Sequence, residues 1–460
     1  MKSLAPLLSI IALVVGLVGC PGGGGGGGSA ADFAVSTTAA DFGVVDNSYT
    51  STLAVTGGTA PFTWTLFGGT LPTGLSLNAG TGVVSGTPTV VENPTAVFTV
   101  TDSTGKTATG SVLFAVHPRT DRASVTGSGT AGSGASSAPS ISGAGNLITF
   151  ASSSTNFVTG VIGTQIYLHN RQTNQIEVVS RDSDASVITE GGAASSDPSM
   201  SSDGRLVAFV SLSSNLVTSV SGQQIYVRDR QTDQTSVVSK SSAGTIGDGT
   251  SNAPAISADG RYVAFVSTSG NLVLSVSGTQ IYVHDRQTNQ TILVSRDTGG
   301  NAGNGASSQP TISADGRFVA FTSAATNLAS ITGGQIFLRD TIGNATTLVS
   351  RDTTGNAGNG ASSAPSISAD ARYVAFVSQA TNLLAPDPVV LGGQQVYIHD
   401  RQLGQSSLAS QDNTNTNIEG AGGVSDTPSM SSDGGFVAFF SQATNLVAGS
   451  GAHIYIRALP

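Results

Sequence analysis

Four sets of side chains in this 460-residue sequence have types and spacings that could do chemistry. An Asp-Gly pair recurs at Asp203, Asp259, Asp315 and Asp433, with Asp370 before an alanine. A second aspartate closes runs such as "QIYVHD": Asp229, Asp285, Asp340 and Asp400, with Asn170 in the first copy. The residue before it alternates: His169, Arg228, His284, Arg339, His399, Arg457. Cys20 is the only cysteine, so no disulfide can form within the chain. The first aspartate is expected to make a two-residue Asp-Gly hairpin turn, because Asp bonds its own backbone and Gly accepts positive φ. The second is expected to tighten the turn after it, with Arg230, Arg286 or Arg401 as partner. Histidine titrates near neutrality, so the alternating band could sense pH. Its six members sit on separate repeats, too far apart to share one metal ion, and are expected to be solvated side chains at repeat edges. There is no nucleophile elbow, no His-Glu-x-x-His and no cysteine cluster. Residues 412–419, "DNTNTNIE", lack the central Gly and the Glu spacing of a calcium loop. No catalytic, cofactor or metal residue is therefore assigned.

Those residues belong to a repeat. "ADGRYVAFVS" at 258–267 has near-copies beginning at Ser202, Ala314, Ala369 and Ser432, and a worn one at Gly143. Prolines 139, 198, 254, 310, 365 and 428 mark the same place in six units. A period of roughly 56 residues indicates a propeller, solenoid or array. Each unit reads as four short strands: "APAIS", "YVAFVS", "QIYVHD" and "TILVS" in one copy. In "YVAFV", Tyr262, Ala264 and Val266 point one way and Val263 and Phe265 the other. Both faces are apolar, so the strand needs a layer on each side. Propeller blades meet that condition, and the polar outer faces of solenoid caps are missing. The innermost strands offer mostly Ser and Thr to the axis. Charged residues are 10%, glycines number 59, the net charge is −9 and the pI about 4.9. That composition suits an all-β, turn-rich protein. An acidic chain repels phosphate backbones, so no nucleic-acid partner is expected.

The amino-terminal region differs. Lys2 precedes an apolar run over residues 4–18, then "LVGC" at 17–20. The run is too short for a stable span and reads as an export signal. "LVGC" resembles the lipobox of bacterial lipoproteins, which implies cleavage before Cys20 and lipid attachment on it. Residues 1–19 are then the signal peptide, and 20–31 the lipidated cysteine with a tether whose seven glycines span roughly 15 Å. Pro21 stands where an Asp would favour inner-membrane retention, which points to the outer membrane or cell surface. Residues 32–117 alternate apolar and polar side chains between turn residues, as in "AVFTVTDSTG", with Trp64 as the core anchor. "LPTGLSLNAGTGVVSGTPT" at 71–89 resembles the He-PIG type of Ig domain, implying an Ig-like β-sandwich of bacterial surface proteins. Related cadherin-like domains bind calcium with clustered acids, whereas Asp46, Glu92 and Asp102 are scattered singly.

Over residues 118–460 the order Pro-x-x-Ser, Asp-Gly-x, Ala-Phe strand, Ile-Tyr-Val-x-Asp strand resembles the TolB-like β-propeller. The resemblance implies six blades, envelope placement and protein binding. The fold expected is therefore all-β: an Ig-like sandwich, then a six-bladed propeller with 3+1 strand closure. For that closure "RASVT" at 122–126 is matched to "TILVS" and expected to pair beside residues 454–457. The function expected is a lipid-anchored envelope protein that binds a protein or glycan partner. The long loops after the second and fourth strands share one face, where the partner is expected, with the insertion at 385–391 as the best candidate. The alternative is a propeller-based hydrolase or lyase acting on carbohydrate or peptide.

Overall fold

A computed structural model describes residues 32–118, 121–183, 192–331, 333–384, 393–411, 423–446 and 452–459. Cys20, the glycine tether, the 385–391 insertion and residues 412–419 lie outside the described residues. The chain forms two compact units, Met1–Val116 and His117–Pro460. No helix occurs among the described residues.

The first unit is an Ig-like sandwich. One sheet joins Tyr49–Thr52, Val83–Gly86 and Leu75–Leu77, and another joins Thr63–Gly69, Thr95–Thr101 and Thr107–Leu113. Thr95–Thr101 alternates as its sequence requires: Ala96, Phe98 and Val100 are fully buried, and the residues between them are not. Trp64 joins them in the core, as expected. The Asp102 carboxylate is used inside its own turn, accepting from the Thr59, Thr104 and Lys106 N–H groups and the Thr104 hydroxyl.

The second unit is a set of six repeated antiparallel sheets in propeller fashion. Five have four strands in sequence order, such as Ser251–Ile256, Tyr262–Ser267, Gln280–Asp285 and Gln290–Leu293 in blade three. The first strands of consecutive blades lie against one another, which makes them innermost. The two faces of the second strand divide as its sequence implies. Leu206, Ala208 and Val210 of blade two, with Ile225 and Val227, pack on Val263, Phe265, Tyr282 and Leu293 of blade three. The opposite face of blade three, Ala264, Val266, Ile281 and Val283, packs on Val319, Phe321 and Phe337 of blade four. Each seam carries a stacked ring pair, for example Phe265–Tyr282 with centroids 5.9 Å apart.

Backbone bonds bind the seams at the axis. The N–H of Gly143 donates to Ser202 C=O, and the series continues Ser202 to Ala258, Ala258 to Ala314, Ala314 to Ala369 and Ala369 to Ser432, at 2.8–3.1 Å. Each innermost strand has a bulge at the residue before its proline. Ala138, Asp197, Ala253, Gln309, Ala364 and Thr427 all take φ of 49–54°. Proline cannot donate and restricts its predecessor, so regular pairing stops there.

The Asp-Gly turn is longer than the two-residue loop expected. Ser201 pairs with Leu206, and four residues lie between them. Asp203 accepts from the Ser201 hydroxyl (2.6 Å) and Arg205 N–H (2.9 Å), and only Gly204 takes positive φ. The serine two residues before Asp makes the longer loop the stable one.

Blade six has three strands among the described residues: Ser425–Met430, Phe436–Ser441 and His453–Ala458. The expected pairing of 122–126 with residues 454–457 is not seen. Val125 instead bridges Ala131.

Gly260 tests the blade spacing. It takes φ +71°, and a Cβ there would lie 2.2 Å from Cδ1 of Leu206 in the preceding blade. Gly300 takes φ +94° with nothing within 4 Å. Gly300→Ala should cost about 1 kcal/mol from conformation alone. Gly260→Ala should cost about 1–3 kcal/mol more, from overpacking. Urea unfolding of the two variants checks the difference; equal losses would disprove close packing at that turn.

Candidate functional site

The sequence-marked side chains fall into three places: the turns of one face, the seams between blades and the loops of the other face. The second aspartate does tighten the following turn, since Asp285 accepts from the N–H groups of Gln287 and Thr288. Its arginine is not the expected one. Arg261, from the Asp-Gly-Arg turn, donates two bonds to the Asp285 carboxylate at 2.9 and 2.7 Å. Arg205–Asp229 and Arg317–Asp340 repeat this, and Arg372 donates twice to one oxygen of Asp400. These bonds hold the Asp285 carboxyl far below the usual range, and Asp340 down at about 2. Arg230, Arg286 and Arg401 reach instead to the turn carbonyls of Gly204, Gly260 and Ala371. The strand pairing sets this choice: Asp285 lies opposite Tyr262, the residue after Arg261. The short-turn face therefore uses its charges internally.

The His/Arg band is a correction. Five of the six side chains are not solvated: His169, Arg228, His284 and Arg339 are 1% exposed and His399 is 3% exposed, while Arg457 is half-buried. The third strand points them into the seam with the preceding blade, where the third residue past that blade's fourth strand meets Arg228, His284, Arg339 and His399. Arg181 and Arg228 converge on the Asp233 carboxylate. Arg296 and Arg339 converge on Asn344, whose amide oxygen is neutral. Arg339 also reaches Thr346 (2.9 Å). His284 bonds Thr291 at 2.8 Å, with Lys240 close by. His399 bonds Ser406, with Arg351 close by. Burial, then these neighbouring cations, pushes both imidazoles down to about 4. Asp285 and Arg286 also face His284, and Asp400 and Arg401 face His399. The sequence signal missed was the basic residue three positions past the fourth strand of blades one to four, Arg181, Lys240, Arg296 and Arg351, which blade five replaces with Gln411.

Two carboxylates escaped the sequence reading of the axis. Asp197 and Asp426 stand on the innermost strands of blades two and six. Asp197 accepts from the Ser196 hydroxyl at 3.1 Å. Among the described residues no three His, Cys, Asp or Glu side chains are grouped to hold a metal ion.

The long loops share one face, because the first strand of each blade starts beside the end of the second: Ser251 pairs with Ser267. An asparagine of the loop after the second strand clamps the loop that enters the same blade. Asn271 accepts from Asp248 N–H (3.1 Å) and donates to Ile246 C=O (2.8 Å). Asn156, Asn327 and Asn382 make the same two bonds, to Ser133 and Ala131, Asn304 and Ala302, and Asn359 and Ala357. Asn215 accepts from Gly192 N–H. From below, the Tyr226 and Tyr282 hydroxyls donate to the carbonyls of Ser213 and Ser269. Buried Gln224 donates to Gly247 and Gly249 and accepts from Ser239.

Residues 31–117 match the He_PIG family, described as "Putative Ig domain". No curated protein shows significant similarity to the sequence. Similar solved structures include an acylaminoacyl peptidase of Pyrococcus horikoshii, at 12% identity and a TM-score of 0.42, covering 71% of this chain and 46% of the peptidase. A puromycin-hydrolyzing peptidase of Mycobacterium tuberculosis gives 11% identity and a TM-score of 0.41, covering 87% of this chain and 55% of that one. The chain thus spans about half the length of each.

Two outcomes follow for the seams. The buried histidines stay neutral in the fold, while in the unfolded chain they titrate near 6.5. Their contribution is whole above pH 6.5 and is lost as pH falls toward 4, by up to about 1.4 kcal/mol per pH unit for each. Urea midpoints from pH 7 to 4 should therefore fall less steeply in His284→Gln and His399→Gln than in the unaltered chain. The second outcome concerns charge. Asn344→Asp should stabilise the Arg296–Arg339 seam by about 1 kcal/mol, and Asp233→Asn should weaken its counterpart by about 1–3 kcal/mol. Thermal unfolding of both variants reads the two opposite signs.

Proposed function

We propose that this protein is a lipid-anchored component of the bacterial cell envelope whose propeller binds a protein or glycan partner on its long-loop face. The carrying observation is the asparagine clamp repeated in blades one, three, four and five. Loops held in this way lose little further freedom on binding, so less of the interaction energy is spent on ordering them. What they present is mainly Gly, Asn, Ser and Thr, as in "DTGGNAGNGASS" from Asp297. Hydroxyl and amide groups on rigid backbone suit hydrogen bonding to sugar hydroxyls or to an extended peptide. The short-turn face, with its arginines engaged by Asp229, Asp285, Asp340 and Asp400, offers fewer free groups. The anchor reading rests on Leu17 to Cys20 and the glycine tether after it.

Membrane fractionation tests the anchor. Cys20→Ser should move the protein from membranes to the soluble fraction, and continued sedimentation with an uncut signal would overturn that reading. The binding face is tested separately, by crosslinking in intact cells and by glycan arrays. Crosslinks or protection should map to residues such as Asn304 and Asn359. Mapping to the Asp-Gly-Arg turns alone would overturn the assignment of the face. Turnover in a hydrolase screen would favour the enzyme alternative.

A further inference from the structure

The turn that enters the fourth strand ends, in blades one to five, on a residue in the left-handed region: Asn174, Asp233, Asn289, Asn344 and Gly404, at φ of 55–66°. In three blades its side chain is an acceptor at the seam with the preceding segment. Asn174 accepts from His169 Nε2 at 2.9 Å. Asp233 accepts from Arg228 on its own third strand and from Arg181 of the blade before. Asn344 accepts from Arg339 and Arg296 in the same way. In blades two and four, one group at this position therefore touches both the third-strand residue of the His/Arg band and the cation past the preceding fourth strand.

Blade five is the exception. Its residue is Gly404, and a Cβ there would meet nothing within 4 Å. The two groups around the position are those of the other seams. Arg351 is the equivalent of Arg181 and Arg296, and its Nε is buried with no hydrogen-bond partner among the described residues. His399, 3% exposed, bonds Ser406 through Nδ1 at 3.1 Å. The neighbouring carboxylates are already engaged. Asp352 accepts from Thr354 and Asn356 inside its own turn, and Asp400 accepts from Arg372. This seam thus sets a guanidinium against a position that carries no side-chain acceptor. A buried donor without an acceptor is destabilising, more so when charged. What the position lacks is negative charge.

We propose that the seam between blades four and five binds a small anion, which stands where blade two holds the Asp233 carboxylate and bridges Arg351 and His399. A carboxylate of acetate size is the best match, because two oxygens in one plane pair with the guanidinium fork, whereas chloride offers charge without that geometry. His399, held neutral by its burial, donates from Nε2 once Nδ1 accepts from the Ser406 hydroxyl. Arg351 and Gly404 are only half-buried, so the ion reaches the seam from solvent. The seam before blade four does not take one, since Asn344 occupies the position and gives Arg296 and Arg339 a neutral acceptor. A bound ion ties the end of blade four to the turn of blade five, and it stabilises the fold as any ligand of the native state does.

The test uses the full chain at constant ionic strength, with sodium acetate or sodium chloride replacing the salt of a bulky sulfonate. Acetate at roughly ten times its dissociation constant should raise the melting temperature by about 2–4 °C. A rise with acetate alone assigns a carboxylate, and an equal rise with chloride assigns any small anion. Gly404→Asp supplies the charge from the chain itself. It should melt about 2–4 °C above Gly404→Asn, which makes the same demand on the backbone. Gly404→Asp and Arg351→Gln should both lose the response to acetate. No rise in the unaltered chain, or a rise that persists in either variant, overturns the proposal. Should the variants fail to fold, nuclear magnetic resonance of the unaltered chain with its five histidines isotope-labelled decides. Acetate should shift the His399 ring signals saturably and leave those of His284, whose blade carries Asn289 at the position, where they are. A shift at neither, or the same unsaturating shift at both, overturns it.

Discussion

The structure of the repeat unit depends on one constraint: the second and third strands of every blade are apolar on both faces. A sheet of that kind cannot stand alone in water, since burying each Val, Ile or Phe is worth about 1.5–3 kcal/mol and half of them would face solvent. The remedy is a neighbour on each side. Ala208, Ala264, Ala320 and Ala375 are fully buried because the next sheet covers them. Gly260 follows from the same constraint. It sits against Leu206 of the preceding blade, where any side chain would hold the two apart.

Dense packing leaves polar groups in the seams, and they are satisfied locally. The glutamine that opens the third strand and the serine after the fourth bond each other, as Gln280 and Ser295 do at 2.6 Å. Uncompensated cations are the exception. The seam before blade two contains Asp233, while the seam before blade four offers Asn344 in its place. Both take positive φ, +60° and +55°, so the backbone favours Asp or Asn and does not decide the charge between them. A buried cation facing neutral acceptors costs more than one facing a carboxylate. The band that looked most like functional chemistry in the sequence is thus part of how the blades are joined.

The fold was legible because its signals are repeated and periodic. "YVAFVS" states a strand buried on both faces, and six prolines state the number of units. The seam chemistry was not legible, because it joins residues about 46 positions apart, such as Asp182 and Arg228. Only the blade-to-blade rotation brings them together. The arginine partners of Asp229 and Asp285 were misread for a related reason. Sequence adjacency favoured Arg230 and Arg286, but a tight turn points the next side chain away, and antiparallel pairing presents Arg205 and Arg261 instead. The Asn clamps were invisible as such, since an isolated "TNL" or "GNL" carries no partner in its own strand. The left-handed residue before each proline was equally hidden: local preference argues against it, and the bulge imposes it.

These findings divide the polar residues of the repeat unit by task. On the short-turn side, arginine and aspartate hold the turn between the first two strands to the end of the third. In the seams, histidine, arginine and the third residue past the fourth strand join one blade to the next. On the long-loop side, one asparagine fixes two loops through backbone atoms, and in blades four and five the entering loop answers with Asn304 and Asn359, which accept from the Thr326 and Thr381 N–H groups. Asn304 and Asn359 bond the neighbouring Thr326 and Thr381, and the glycine after each is held as well, since a Cβ at Gly305 or Gly360 would lie 2.6 Å from the backbone of the facing loop. A scaffold built in this way holds its loop backbone fixed and leaves variation to the loop tips, where an added Cβ at Gly300 or Gly355 meets nothing within 4 Å. Variation of that kind, with geometry retained, is what recognition of a partner requires.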